Sequence, residues 1–187
     1  TPTTYDGSRR ETLDMDRNSF SVECVFRTAA GHTGGVLVSK LREVGYQVRI
    51  GGGGAVRLVL QAPGGAAGVQ GAVAVNDGEW HHVLVEVDRG AGHATVYVDG
   101  KRDAGGGLEL PPDASLANRA DFLVGKGPRG GFFEGDVDFL RVARSTLAES
   151  KTTLAELYAW EFDGPHLHDF RGRDPVGRRD AGALEGE

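Results

Sequence analysis

Three carboxylates stand two residues apart in the last third of the chain: Glu134, Asp136 and Asp138. In an extended segment alternate side chains share a face, so a strand here stacks all three. Two carboxyl groups about 5–5.5 Å apart can serve as acid and nucleophile in retaining glycoside cleavage. The plain reading of the same trio is a solvated sheet edge with Asp138 in a structural role. His81 and His82 are neighbours in sequence, so on a strand they point to opposite faces and cannot both hold one metal. His166 and His168 do share a face of an extended segment, with Asp169 adjacent. Two imidazoles and a carboxylate suit zinc, but no third spaced ligand accompanies them. Cys24 is the single cysteine, which excludes a disulfide within the chain. It falls on the apolar side of a strand pattern and reads as a buried, inert thiol. There is no Gly-x-Ser-x-Gly elbow. Gly51 to Gly54 is not a phosphate loop, because no Lys-Ser/Thr follows and a strand pattern comes next.

The elements that must position these groups are strands. Asp77 to Gly100 reads as a ribbon: Val83, Val85 and Val87 alternate with Leu84, Glu86 and Asp88, and Val96 and Val98 alternate with Thr95, Tyr97 and Asp99. Arg89 to His93 carries two glycines and can reverse the chain, and Asp99-Gly100 is a second turn signal. Phe20, Val22, Cys24 and Phe26 form one face of an earlier strand. Further strands are expected at Val36 to Lys40, Tyr46 to Ile50, Val56 to Gln61, Ala72 to Val75, Phe122 to Gly125 and Phe132 to Val142. Loops are expected at Thr28 to Gly35, Pro63 to Gly71, Lys101 to Arg119 and Lys126 to Gly131. Leu147, Leu154, Leu157 and Tyr158 fit helical spacing. Thr153-Leu154-Ala155-Glu156 is a capping-box pattern, so one short helix is expected near residues 153 to 158.

Composition narrows the partners. The net charge is −6, which gives no basic footprint for nucleic acid. Hydrophobic residues make up 39%, enough for two thin sheets, and the 30 glycines fall mostly between strand-like runs, which argues for turns rather than disorder. No run of about 18 apolar residues occurs, so no membrane-inserted helix is expected. The chain opens at Thr1 without a signal sequence and is expected to be a mature product or an excised piece.

Three segments in order carry a family resemblance. Trp80-His81-His82-Val83 with Val96-Tyr97-Val98-Asp99-Gly100 resembles the core of the laminin-G-like, concanavalin A-like jelly rolls. Phe20-Ser21-Val22-Glu23-Cys24-Val25-Phe26 resembles their first core strand, with Val25 where an aromatic more usually stands. Phe133 to Val142 resembles their closing strand. The resemblance implies an all-β fold, two antiparallel sheets packed as a β-sandwich, over residues 1–158. Residues 159–187 would then form a C-terminal extension. Within that extension Asp169 to Pro175 and Asp180 to Glu185 resemble a chain-terminal phrase of secreted bacterial parallel β-helix proteins. The expected core is Phe20, Val22, Phe26, Val48, Leu58, Trp80, Val83, Val85, Val96, Val98, Leu123, Phe139 and Val142.

The family fold hosts lectins, adhesion modules, enzymes and spacers, so it does not by itself fix a function. Glucanases of the superfamily use Glu-x-Asp-x-x-Glu; here Phe139 stands where the last glutamate belongs, so no catalytic residue is expected. The resemblance also implies one structural Ca²⁺ between the opening segment and the closing strand. Asp6, Gly7 and Asp138 would supply its oxygens, and the alternative is that these acids only cap turns. The favoured expectation is a non-catalytic module of a secreted or cell-surface bacterial protein that binds a polysaccharide or a cell-surface protein. A polysaccharide-active enzyme and a spacer domain remain the alternatives. Binding residues concentrate on loops held by a rigid scaffold. Arg102, Arg119, Lys126 and Arg129 are the candidate donors, and Phe132 is the candidate stacking face.

Overall fold

The computed structural model describes residues 13–151 and 153, and two short strands at 161–163 and 166–168. Ten strands build a sandwich: β1 (Phe20–Thr28), β2 (Val36–Leu41), β3 (Gly45–Ile50), β4 (Ala55–Ala62), β5 (Gly65–Ala74), β6 (Trp80–Asp88), β7 (His93–Val98), β8 (Lys101–Gly107), β9 (Leu123–Val124) and β10 (Gly135–Ala143). β11 (Glu161–Asp163) and β12 (His166–His168) pair with each other as a separate antiparallel hairpin. The back sheet runs β10-β1-β6-β7-β8 and the front sheet β5-β4-β3-β2-β9, all pairs antiparallel.

The core lies between the two sheets. The back sheet contributes Phe20, Val22, Cys24 and Phe26 from β1, and Val83, Val85 and Val87 from β6. The front sheet answers with Tyr46, Val48 and Ile50 from β3, and Val56, Leu58 and Leu60 from β4. The Phe20 and Tyr46 rings bridge the sheets with centroids 4.9 Å apart. The Tyr46 hydroxyl donates to the Leu13 carbonyl at 3.1 Å, so its one polar atom is satisfied. Each such side chain contributes about 1.5–3 kcal/mol by leaving water. The period-two pattern therefore selects the sandwich: every strand puts one face inside.

Two expected loops are strands. Pro63 to Gly71 was expected to be irregular, but β5 begins at Gly65, and only Pro63-Gly64 turns the chain. Gly65-Ala66-Ala67-Gly68 has no apolar alternation to read, yet an edge strand needs only its backbone ladder. A Cβ on Gly68 would lie 2.4 Å from the Leu58 carbonyl oxygen, so glycine is required there. Lys101 to Arg119 likewise opens with β8. Asp99 and Gly100 both have positive φ, at 49° and 71°, the geometry of a two-residue type I′ hairpin. That turn fixes Val98 opposite Lys101. Leu108 to Phe122 is the irregular remainder, anchored by the buried Ala114 and Leu116.

Most of the expected core is buried, but Trp80, Leu123, Phe139 and Val142 are only half-buried. Trp80 heads β6 opposite Arg27, whose guanidinium lies 5.2 Å from the indole centroid. Phe139 faces outward beside Val25 on the back sheet, and Leu123 lies on the two-residue edge strand β9. Apart from Thr153, the helix expected at 153–158 lies outside the described residues, as does the boundary at 158. Just before it, Thr146 and Glu149 form a capping box around a single turn. The Thr146 N–H donates to Glu149 Oε2 at 2.7 Å and the Glu149 N–H to Thr146 Oγ1 at 3.1 Å. This is the same Thr-Leu-Ala-Glu sequence, seven residues earlier than the one expected to start the helix.

Candidate functional site

The outer face of the front sheet carries the polar halves of the strand alternations. Cross-strand pairing arranges them in rows. Val36, Arg49, Arg57 and Gln70 form one row, Ser39, Gln47, Val59 and Gly68 the next, and Leu41, Gly45, Gln61 and Ala66 the third. The segment after β9 folds back over part of this face: Gly127 packs on Val36 and Gln47, and Gly131 beside Gly34 and Val36. The result is a groove of about 580 Å³, floored by Gln47, Arg49 and Gln61, walled by Gly127 to Gly131 and closed at one end by Arg42 and Glu43. A second hollow of about 460 Å³ continues along β4 and β5, with Arg57, Val59, Gly68 and Gln70 in its lining.

The polar groups here are incompletely used. Gln47 Nε2 donates to Ser39 Oγ at 3.3 Å. Arg49 Nη2 makes one long bond of 3.4 Å to the Gly34 carbonyl, while its shielded Nε has no hydrogen-bond partner. Arg49 and Arg57 stand directly opposite each other on β3 and β4. Neither is in an ion pair with an acid among the described residues.

The residues singled out from the loops fall in separate places. Arg129 is in the groove wall. Lys126 and Phe132 flank that wall, the ammonium 5.3 Å from the ring centroid, with Phe132 63% exposed. Arg119 lines a smaller hollow of about 210 Å³ that shares Arg42 and Glu43 with the groove. Arg102 is on β8 opposite Tyr97, in the other sheet. Arg49, Arg57, Gln47 and Gln61 were not singled out. Their signal was present as the polar members of the β3 and β4 alternations on either side of the Gly51–Gly54 turn.

The carboxylate trio does not form a shared acid–base pair. Asp136 Oδ2 accepts from Arg27 Nη2 at 2.7 Å, and Glu134 Oε2 lies 3.5 Å from His32 Nδ1. Asp138 is the extra residue of a β-bulge, since Val137 pairs with Phe26 and Phe139 with Val25. Desolvation raises its carboxyl above the usual carboxylate range. Asp6 and Gly7 lie outside the described residues, and among the described residues no three His, Cys, Asp or Glu side chains converge on a metal position. Burial pushes the Cys24 thiol up to about 12, which keeps it inert at neutral pH.

His81 is held between two carboxylates. Its Nδ1 lies 2.8 Å from Asp99 Oδ2 and its Nε2 3.0 Å from Asp77 Oδ1. The Asp99 bond, against a smaller opposing effect of burial, raises the imidazole above its ordinary value. His82 points the other way, as expected, and its Nε2 is 2.8 Å from the buried Glu23 Oε1.

A laminin-G family model, described as the concanavalin A-like lectin/glucanases superfamily, matches residues 3–151. Among curated proteins, the calpain-type cysteine protease DEK1 of Arabidopsis thaliana is 33% identical over 92 residues, which is 48% of this chain and 4% of that protein. The chain thus spans only a small part of that relative's length. Among solved structures, the CBM40 domain of the Ruminococcus gnavus IT-sialidase, bound to α2,3 sialyllactose, aligns with a TM-score of 0.60 at 13% identity, covering 80% of this chain and 87% of that one. Domains LG4-5 of the mouse laminin α1 chain align with a TM-score of 0.56 at 15% identity, covering 70% and 36%. Strand order, core and family model agree: the chain belongs to the concanavalin A-like lectin/glucanases superfamily, with a domain of the laminin-G type.

Proposed function

We propose that this chain is a non-catalytic carbohydrate-binding module that takes a polysaccharide in the groove on the front sheet. One observation carries the reading. Gln47, Arg49, Arg57 and Gln61 present amide and guanidinium groups from three successive cross-strand rows of β3 and β4 beside a wall of loop backbone. Sugar hydroxyls are matched by such an array, in which amides and guanidinium forks lie on a rigid scaffold. A similar fold in the sialidase domain carries a sugar, which supports the reading by analogy. Arg129, Lys126 and Phe132 extend the proposed surface at one end and Arg119 at the other. Arg102, on the opposite sheet, would serve only a ligand that wraps the edge. The module would act outside the cytoplasm, on a secreted or surface protein.

The test is a glycan array probed with the whole chain, followed by titration of each hit. The Gln47→Ala, Gln61→Ala double variant is expected to weaken binding by about tenfold, or about 1.4 kcal/mol. No signal for any polysaccharide at micromolar protein would leave the spacer alternative in its place. Release of reducing ends from β-glucan, abolished by Glu134→Gln, would overturn the non-catalytic part. Calcium is a second part of the proposal: Asp138, the extra residue of its bulge, would give one ligand, and Asp6 and the Gly7 carbonyl others. Binding to the folded state alone would add about 2.7 kcal/mol at a hundredfold excess over Kd. An unfolding temperature that ignores both EDTA and added calcium would remove it.

A further inference from the structure

We infer that the outer face of the front sheet selects sugars that carry a carboxylate, with Arg49 of the groove and Arg57 of the neighbouring hollow as the paired receptor for that group. The inference rests on the carbohydrate reading and narrows it. Directly opposed like charges on neighbouring strands are destabilising, so such pairs are normally broken up or neutralised. Here Arg49 and Arg57 are direct cross-strand partners on β3 and β4, and the described residues give neither an acid partner.

Two further observations point to an anion. The Arg49 Nε is shielded from water yet donates to nothing. The chain as a whole is acidic, at −6, but the residues lining the two hollows include Arg42, Arg49, Arg57 and Arg129 and a single acid, Glu43. A carboxylate placed between the two forks would accept paired N–H bonds and supply the missing counter-charge at once. Gln47 and Gln61, one and two rows away, remain for the hydroxyls of the same or the next sugar. A lysine pair would hold a point charge, whereas arginine forks match a planar carboxylate and fix its orientation.

Such a carboxylate can come from a terminal sialic acid or from an in-chain uronic acid. The experiment titrates the full chain calorimetrically with 3′-sialyllactose and with trigalacturonic acid. Lactose and galactotriose are the uncharged counterparts. One acidic probe is expected to bind at least about tenfold more tightly than its neutral counterpart. Arg49→Gln and Arg57→Gln are each expected to remove about tenfold of that affinity. Lys101→Gln, at the exposed start of β8 in the back sheet, is expected to leave it unchanged. A response to sialyllactose alone assigns the terminal acid; a response to trigalacturonate alone assigns the in-chain acid. Thermal unfolding of each variant guards against misfolding, and the exposed Arg57 keeps the test decisive if Arg49→Gln does not fold. Equal affinity for acidic and neutral probes, or an acid preference that survives both substitutions, overturns the inference while the carbohydrate reading stands. Absence of binding by every sugar, neutral or acidic, overturns both.

Discussion

The two sheets share one architecture but treat their outer faces in opposite ways. On the back sheet, Val25 and Leu84 are fully buried on the side away from the core, and Glu23 and His82 are nearly so. Glu23 binds His82 at 2.8 Å, and Arg141 Nη2 approaches its other oxygen at 2.6 Å. The segment after β10 is tied to that face, because the Leu147 N–H donates to Glu86 Oε2 at 2.7 Å. On the front sheet, Arg57, Gln61 and Gln70 are exposed, and the arginines lack acid partners among the described residues. A face whose polar groups are used up internally stabilises the fold. A face whose donors are left over has something to offer a ligand.

The largest expected effect tests the closed face. Glu23→Ala removes the buried acid that the buried His82 and the half-exposed Arg141 share. Removing one member of a buried pair costs about 3–5 kcal/mol. Urea unfolding of Glu23→Ala should therefore show a loss near 3 kcal/mol, whereas Gln61→Ala on the open face should stay within about 0.5 kcal/mol of the parent. Equal losses at both sites would erase the contrast between the sheets.

A smaller effect concerns the strap on the back sheet. Thr146 is buried and caps the turn at 147–151 by exchanging bonds with Glu149. Thr146→Ala should cost about 1 kcal/mol, the usual value of such a cap. It should also raise hydrogen exchange at the Leu147 amide, since the strap then holds Glu86 less firmly. An unchanged exchange rate would show that the cap is not what holds the strap down.

His81 joins two turns at one end of the sandwich, and its contribution depends on pH from both sides. Its folded pKa is raised, so its stabilisation is complete below the unfolded value of about 6.5 and is lost as pH rises through the folded value. Asp99 is the reverse: burial works against its ionised form, but the His81 and His82 bonds outweigh it and hold the carboxyl low. Asp99 therefore stabilises above about 3.8 and ceases to as pH falls through its lower folded value. Asp77, held low chiefly by the Glu79 N–H, acts in the same direction but is exposed and screened. The unfolding temperature of the parent should therefore fall as pH rises above about 6.5. Asn tolerates the positive φ of residue 99, so Asp99→Asn should fold and should flatten that fall. A variant whose alkaline slope matches the parent would assign the slope to other groups.

The sandwich was legible because β1, β3, β4, β6 and β7 each alternate apolar and polar residues, and the Trp80 to Gly100 phrase fixed their family. β5 and β8 were not, because Gly65 to Gly68 and Gly105 to Gly107 carry no side-chain period, and their ladders are made by backbone alone. Of the proposed surface, Arg129, Lys126 and Phe132 were singled out in the sequence as loop residues. Arg49 and Arg57 were not, for a physical reason. A polar residue on a half-buried strand is expected to face water, so its presence alone says nothing. Only the register Arg49↔Arg57 turns two ordinary solvent-facing residues into a concentrated charge, and register is a property of the folded sheet.

The smallest effect tests that charge without any ligand. If the open face keeps its two arginines for binding, the free protein should carry a small cost for them. Replacing the exposed Arg57 by glutamine removes one of two opposed charges and leaves the strand's outward polarity unchanged. The gain should be about 0.2–1 kcal/mol, the range for cross-strand pairs. It should be clearest in low salt and shrink at about 0.5 M, where the screening length falls below about 5 Å and the two guanidinium groups no longer sense each other fully. A substitution that stabilises the free chain while weakening its hold on an acidic sugar is what a binding site under strain predicts, and stability and affinity then move in opposite directions at one residue. If Arg57→Gln instead destabilises the free chain at every salt concentration, Arg57 has structural partners of its own. The front sheet would then be closed in the same sense as the back one.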